Sequence, residues 1–108
     1  MASSFKNASA VVTTANQDVT LYQAANVISS IIHGLYIANK HPSANVQVTL
    51  KILDHSTSTD QIILFKVPIP PNTSMSLDKP LNLEVNDSLV FQATNTSTDA
   101  FASVLEIT

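Results

Sequence analysis

The sequence has 108 residues, of which 44% are apolar and 12% charged, with one glycine and no cysteine. This length corresponds to one domain, and the absence of cysteine excludes disulfide scaffolds and thiolate metal sites. The net charge is −3 and all five cations are lysine. We therefore expect no nucleic-acid partner, because a phosphate backbone requires concentrated positive potential. The absence of arginine also disfavours nucleotide or phosphate sites.

The chain shows no sign of a membrane-spanning or secretory segment. Residues 1–14 are polar with Lys6 as their single charge, whereas a signal peptide requires an apolar central region. No apolar run approaches the roughly 18 residues of a transmembrane helix. We expect no membrane partner, and a domain that is made and stays soluble inside a cell.

From Val19 onward, short β-branched runs alternate with polar turn clusters at a spacing of about 8 to 12 residues, which is typical of all-β folds. The pattern predicts one antiparallel β-sandwich, jelly-roll-like or immunoglobulin-like, with about eight strands over residues 11–108. A polar N-terminal arm is predicted at 1–10. The first strand is expected at 18–23, with a short piece at 10–14 pairing beside it.

Segment 27–38 fits two structures. Six apolar residues in it are spaced as on one face of a helix. Four of the six are β-branched, however, and Gly34 lies in the middle of the segment, both of which disfavour a helix. We favour a strand and keep the helix as the alternative.

The centre of the chain predicts a hairpin. Residues 45–53 alternate apolar and polar side chains, and residues 61–67 form an apolar return strand after a seven-residue polar loop at 54–60. The prolines that follow, at 68, 70 and 71, cannot donate ladder hydrogen bonds. We therefore expect an edge strand or a crossover between sheets there.

Short strands are expected at 74–77, 81–85 and 88–93. A turn at 95–99 is predicted to close a last hairpin with 101–107, where Phe101, Ser103, Leu105 and Ile107 share one face. With a single glycine in the chain, asparagine must supply left-handed turn positions. The positions expected are Asn39, Asn86 and Asn95.

No residue pattern indicates catalysis. His33, His41 and His55 lie in separate segments without metal-ligand spacing. His33 is expected in the core or an interface, and the other two in solvated loops. Serine, histidine and aspartate are present without a nucleophile elbow, and the stretch 54–60 resembles a calcium loop only distantly, since it lacks the glycine at the bend. We predict no catalytic residue, no metal ligand and no cofactor.

The six aromatic residues are spread roughly one per strand, which favours a hydrophobic core over a stacking platform. Phe5 is the exception, because it is the only large apolar residue of the arm. We interpret it as an anchor that could reach a neighbouring subunit.

Several strands and turns together resemble small structural proteins of tailed-bacteriophage virions. The resembling stretches run through most of residues 11–108 and consist of strand and turn patterns: VTLY at 19–22, IHGLYIAN at 32–39, VQVTL at 46–50, VPIP at 67–70, SLDKPLNLE at 76–84, DSL at 87–89 and SVLEI at 103–107. Asn86 stands where that pattern has glycine, and Asn tolerates the same backbone region.

The resemblance implies a non-enzymatic virion protein, foremost a capsid decoration or cement protein that binds the major capsid protein or other virion proteins as a homo-oligomer. A neck, tail or fibre-base component is the alternative within that class. From another class, a carbohydrate-binding module would use exposed aromatic residues such as Tyr22 or Tyr36.

Overall fold

The structure, a computed structural model, describes residues 2–108 and folds them into nine β-strands in two antiparallel sheets. No helix long and apolar enough to cross a membrane occurs within these residues. The strands are β1 (Ser3–Val11), β2 (Val19–Gln23), β3 (Ser29–Asn39), β4 (Val46–Asp54), β5 (Thr59–Ile69), β6 (Thr73–Leu77), β7 (Leu81–Glu84), β8 (Ser88–Ala93) and β9 (Thr98–Ile107).

One sheet has five strands in the order β1-β9-β3-β6, with β7 also paired to β3, and the other has four in the order β2-β8-β4-β5. The predicted all-β sandwich is confirmed. The chain changes sheet at most of its connections, and only β4–β5 and β6–β7 stay within one sheet. This repeated crossing is the wrapping typical of jelly rolls.

The core lies between the two sheets and is built largely by alternation of inward and outward side chains along the strands. In β4, Val46, Val48 and Leu50 are fully buried while the residues between them are not. The central strand β8 contributes Leu89 and Phe91, both 0% exposed. A two-layer sandwich with one continuous apolar interior results.

Strand β3 confirms the strand prediction for segment 27–38 and explains its helix-like spacing. Ser30 and Ile32 face the core, and so do Leu35 and Ile37. The shift of phase between Ile32 and Leu35 coincides with a bulge in the pairing with β9, between Ile32 and Gly34. The extra residue of a bulge makes two inward side chains three positions apart, which imitates one turn of a helix.

Two predicted pairings are wrong. Residues 10–14 do not pair with β2, because β1 pairs with β9 in the other sheet from Ser3 to Val11. The turn at 95–99 does not close a hairpin, because it carries the chain from β8 in one sheet to β9 in the other. The predicted arm at 1–10 lies in β1 for most of its length, and its first residue, Met1, lies outside the described residues.

The hairpin of β4 and β5 is confirmed, with a shorter loop than predicted. Asp54 pairs with Thr59, so four residues, 55–58, connect the strands where seven were expected. Pro68 lies in the edge strand β5, opposite Gln47 of β4. After β5 the chain passes to β6 in the other sheet. Both expectations from the prolines, an edge strand and a crossover, are therefore met.

Asparagine supplies most left-handed turn positions, but largely not the predicted ones. Asn86 has φ 68° as expected. Asn39 and Asn95 do not have positive φ. The other residues with positive φ are Asn16, Asn26, Ser58, Lys66 and Asn72. Asn39 is buried instead, and its amide donates to the carbonyls of Ala44 and Ile69 at 2.9 and 3.0 Å. It thereby joins the β3–β4 loop to the end of β5.

Candidate assembly surface

The outer side of the five-stranded sheet carries two rows of large apolar side chains, separated by Asn7, Ser103 and the bulge at His33. One row places Phe5 of β1 opposite Leu105 of β9, which in turn lies opposite Ile31 of β3. A second row places Tyr36 of β3 opposite Phe101 of β9. We call these five residues the outer apolar face.

The aromatic members of this face are well exposed. Phe5 is 79% exposed, Tyr36 51% and Phe101 37%. The Tyr36 and Phe101 rings lie 6.5 Å apart in a tilted arrangement, and Phe5 meets the His33 ring edge-on at 5.7 Å. Isolated apolar residues are ordinary on protein surfaces, whereas several on neighbouring strands of one sheet make this side a candidate interaction site.

Charge is confined to the two ends of this side of the sheet. Among the outward-facing strand residues in the described chain, Glu84 of β7 lies at one end and Asp99 of β9 at the other. Asp99 is paired with Lys40, whose Nζ lies 3.1 Å from its Oδ1. The middle carries serine, asparagine, His33 and apolar side chains, so a partner could cover it without desolvating a carboxylate or an ammonium group.

A shallow groove of about 590 Å³ runs beside Tyr36 on the same side. Its walls include Ser9 and Val11 of β1, Ala38 of β3 and Phe101 of β9, with Asp99 as its one ionisable side chain apart from the tyrosine. Such a lining suits apolar contact, and it does not assemble the acid, base and nucleophile of a catalytic site.

The expectation that the aromatic residues outside the arm form the core is wrong for three of the five, Tyr36, Phe65 and Phe101. Only Tyr22 and Phe91 are buried. In β9 the inward positions are taken by Ala100 and Ala102, so the alternation sends Phe101 outward. The exposed aromatic residues are Phe5, Tyr36, Phe65 and Phe101.

Behind the outer apolar face, a polar network links the two sheets. The Tyr22 hydroxyl of β2 donates to Glu106 Oε2 of β9 at 2.5 Å and lies 2.7 Å from the Ser30 hydroxyl of β3. Glu106 is 8% exposed, and its Oε1 lies 3.5 Å from Lys6 Nζ of β1. Burial, and next the hydrogen bond to Glu106, raises the pKa of Tyr22 to about 12, so the phenol stays neutral over the physiological range.

This network corrects one sequence expectation. Tyr22 was a candidate for stacking on a sugar ring, but it is 7% exposed and its hydroxyl is engaged in the interior. Tyr36 is the member of that pair whose ring reaches solvent.

The three histidines lie apart, as their sequence positions suggest. His33 is exposed at the bulge of β3 against Phe5, so the prediction of a core position is wrong, while an interface position stays a prediction. His41 Nδ1 accepts hydrogen bonds from the backbone N–H groups of Ser43 and Ala44 and shapes its loop. His55 is exposed in the β4–β5 loop.

The distant resemblance of 54–60 to a calcium loop does not produce converging ligands. Asp54 Oδ1 accepts from the Ser56 hydroxyl at 2.8 Å, which is the leading reason that the pKa of Asp54 is lowered. Asp60 pairs instead with Lys51 at 3.2 Å.

Asp54 does approach two other carboxylates, those of Glu84 and Asp87, within 4.8 Å. Asp87 is buried, and its two oxygens accept the backbone N–H groups of His55 and Glu84, both at 3.0 Å. Its role is to hold the β4–β5 loop against the end of β7. Sequence reasoning missed this, because no local pattern brings residues 55 and 87 together.

No protein-family model matches the chain, and no curated protein matches it. Solved structures do. A chain from Bacillus endospore appendages, described as a family of disulfide-linked pili, superposes with a TM-score of 0.61 at 11% identity, covering 98% of this chain and 88% of that one.

Two further structures match over nearly their whole length. A chain in the acidic stable capsid structure of Helicobacter pylori bacteriophage KHP30 gives a TM-score of 0.59 at 12% identity, with 100% of this chain and 89% of that one covered. The Drosophila NLP-core gives 0.55 at 10% identity, with 99% and 98% covered. At these identities the likeness establishes a shared sandwich fold.

Proposed function

We propose that this chain is a non-enzymatic structural protein of a tailed-phage virion, and specifically a capsid decoration or cement protein that acts as a homo-oligomer. The observation that carries the proposal is the outer apolar face, where Phe5, Tyr36 and Phe101 are exposed on three neighbouring strands of one sheet. A surface of this kind is typical of sites where proteins contact one another.

Three further points support the proposal. The similar chain in the phage capsid structure is of nearly the same length, since the match covers 100% of one and 89% of the other. The three matched structures are of disulfide-linked pili, a phage capsid and an NLP-core for which pentamer formation is described, and all three are assemblies. The sequence itself also resembles virion structural proteins along most of its length.

The attachment is multivalent in this account. A symmetric oligomer touches several capsid subunits at once. After the first contact has formed, the second forms at a high effective concentration, so weak individual contacts are sufficient. The partner is the major capsid protein or another virion protein, the site of action is the virion, and synthesis takes place in the host cytoplasm.

The copy number in purified virions tests the location. A decoration protein is expected in hundreds of copies, commensurate with the major capsid protein, whereas about a dozen or fewer would assign it to the neck, tail or fibre base. Absence from the particle would overturn the proposal in all its forms.

A binding measurement tests the surface. Phe101→Lys places a charge in the middle of the outer apolar face and should weaken attachment to particles by about 30-fold, which corresponds to roughly 2 kcal/mol. Gln47→Lys is the matched control, because Gln47 is exposed on the outer side of the other sheet. Equal loss in both variants, or in neither, would contradict the assignment of the surface.

Tyr36 beside the groove is the specific observation that favours a second candidate, a carbohydrate-binding module for host adsorption. An exposed aromatic ring next to a shallow groove can stack on a sugar. Glycan-array binding that Tyr36→Ala abolishes would support this candidate, and a blank array would remove it.

A further inference from the structure

Strand β1 is attached to the rest of the molecule chiefly through its backbone. It pairs with β9 in one unbroken antiparallel register, from Ser3 opposite Ile107 to Val11 opposite Asp99. Two more bonds extend the ladder at its start: Ala2 N–H donates to the Thr108 carbonyl at 2.8 Å, and Thr108 N–H donates to the Ala2 carbonyl at 2.7 Å. Backbone pairing of this kind is independent of which chain supplies the strand.

Side chains of β1 contribute little to the core. Only Ala8 and Ala10 are partly buried, and every other residue of the strand is exposed. Each of these alanines can bury little more than one methyl group, worth about 0.8 kcal/mol. The remaining specific contacts are the Lys6 ammonium 3.5 Å from Glu106 and the Phe5 ring edge-on to the His33 ring at 5.7 Å.

The fixed part of the fold begins directly after β1. Val12 is 1% exposed, and its N–H donates to the Thr98 carbonyl at 3.0 Å. Asn16 N–H then donates to the Ala93 carbonyl at 2.8 Å. Because these anchors belong to the body of the sandwich, β1 can leave by rotation near Val11, which is itself 51% exposed, without removing a large side chain from the core.

If β1 left its place beside β9, another strand would have to occupy that place. The edge of β9 would otherwise present a row of unpaired N–H and C=O groups, which promotes uncontrolled association. Glu106, 8% exposed, would lose its cationic partner Lys6. An identical strand from a second copy restores every one of these interactions, which is why exchange of a segment between copies costs little free energy.

We propose that β1 is exchanged between copies of this chain in its assembled form, so that β1 of one copy pairs with β9 of its neighbour. This inference rests on the proposed function insofar as that function requires self-assembly, and it names the partner as a second copy. Exchange also carries Phe5 across to the His33 of the neighbour, which gives the outer apolar face a contribution from each chain.

Paired cysteines test the exchange directly, because the chain has none of its own. Asn7 and Ser103 are opposite residues of the β1–β9 ladder and both point outward. Opposite residues in an antiparallel pair have Cβ atoms about 5 Å apart, close enough for a disulfide after small adjustment. Ala38→Cys with Ser74→Cys is the matched control, because it joins β3 to β6 within one chain.

The double variant Asn7→Cys/Ser103→Cys is assembled under reducing conditions, oxidised, and separated on a non-reducing denaturing gel. Exchange predicts that most chains migrate as covalent oligomers, while the control migrates as a single chain. Oxidation of dilute monomer beforehand should lock β1 in place and reduce assembly at least about tenfold, with recovery on reduction.

The outcomes separate the two proposals. Oligomers or particle-bound protein in which the Asn7→Cys/Ser103→Cys disulfide is intramolecular overturn the exchange and leave the proposed function standing. Covalent oligomers that do not attach to virions support the exchange and overturn the proposed function. A chain that stays monomeric at every concentration tested overturns the exchange.

Discussion

The outer sides of the two sheets are built for different surroundings. On the four-stranded sheet, Lys51 of β4 lies between Asp18 and Asp60, at 2.9 and 3.2 Å, and the hydrogen bond to Asp18 is the main cause that raises its pKa. On the five-stranded sheet, the corresponding central positions carry Phe101 and Tyr36. The outer side of the four-stranded sheet is therefore suited to solvent, and the outer side of the five-stranded sheet is suited to contact with another protein.

Exposed apolar residues also occur on the four-stranded sheet, but they are arranged differently. Ile62 and Phe65 both lie on the edge strand β5, and the Lys66 ammonium lies 5.3 Å from the centre of the Phe65 ring. A cation near an edge strand discourages further pairing. The apolar residues on the four-stranded sheet therefore lie along one edge strand, whereas the outer apolar face spans three neighbouring strands, β1, β9 and β3.

The largest expected effect separates two phenylalanines with different surroundings. Phe91 of β8 is 0% exposed and Phe101 of β9 is 37% exposed. Phe91→Ala should lower the free energy of unfolding by about 3–5 kcal/mol, because it leaves a cavity in the core, whereas Phe101→Ala should cost less than about 1 kcal/mol. Urea denaturation of the monomer measures both, and equal losses would contradict the division into core and contact surface.

The next effect tests the network that joins the sheets behind the outer apolar face. The pKa of Tyr22 in the folded protein is raised to about 12, above the ordinary value near 10. The stabilisation of the fold by the neutral phenol is therefore complete below pH 10 and is lost as the pH rises through 12. Wild type should lose about 2–3 kcal/mol more than Tyr22→Phe over that interval. Because both proteins carry Lys51, its titration cancels in the difference between their unfolding free energies. Parallel pH profiles of the two proteins would contradict the raised pKa of Tyr22.

A smaller effect is expected on the solvated side. Lys51→Met removes two ion pairs whose aspartates are about half exposed, and exposed pairs contribute about 1 kcal/mol or less. We expect a correspondingly small fall in unfolding free energy and no change in attachment to particles. A loss of attachment as large as that of Phe101→Lys would place the interface on the four-stranded sheet and contradict the proposed surface.

The smallest effect concerns salt. Since the middle of the outer apolar face is uncharged, screening at an ionic strength of about 1 M should change the affinity for particles by less than about threefold. Affinity measured across a sodium chloride series tests this. A steep decline would show that Asp99, Glu84 and Lys40, at the ends of the face, dominate the contact.

Local patterns in the sequence were sufficient to predict most strands. The alternation in 45–53 identified β4 and its buried side, and the prolines at 68, 70 and 71 predicted an edge strand or a crossover, both of which occur there. The bulge at His33 shows why segment 27–38 remained divided between strand and helix, since a bulge leaves no mark on the sequence other than an altered period.

Long-range arrangement was not predictable from the same patterns. The grouping of Phe101 and Leu105 on one face of β9 was foreseen, but which face meets the core depends on β9 lying between β1 and β3. The bond from Asp87 to the His55 backbone and the cluster of Tyr22, Ser30 and Glu106 likewise join residues far apart in sequence. Pairing across the fold, and not residue type, created the candidate surface.

Hydroxyl-radical footprinting of free and particle-bound protein tests the central claim most directly, because it reports the accessibility of individual aromatic side chains. Tyr36 and Phe101 should react several-fold more slowly in the bound protein, while Phe65 on the other sheet should react at the same rate in both. Protection of Phe65 with Tyr36 and Phe101 unchanged would contradict the account.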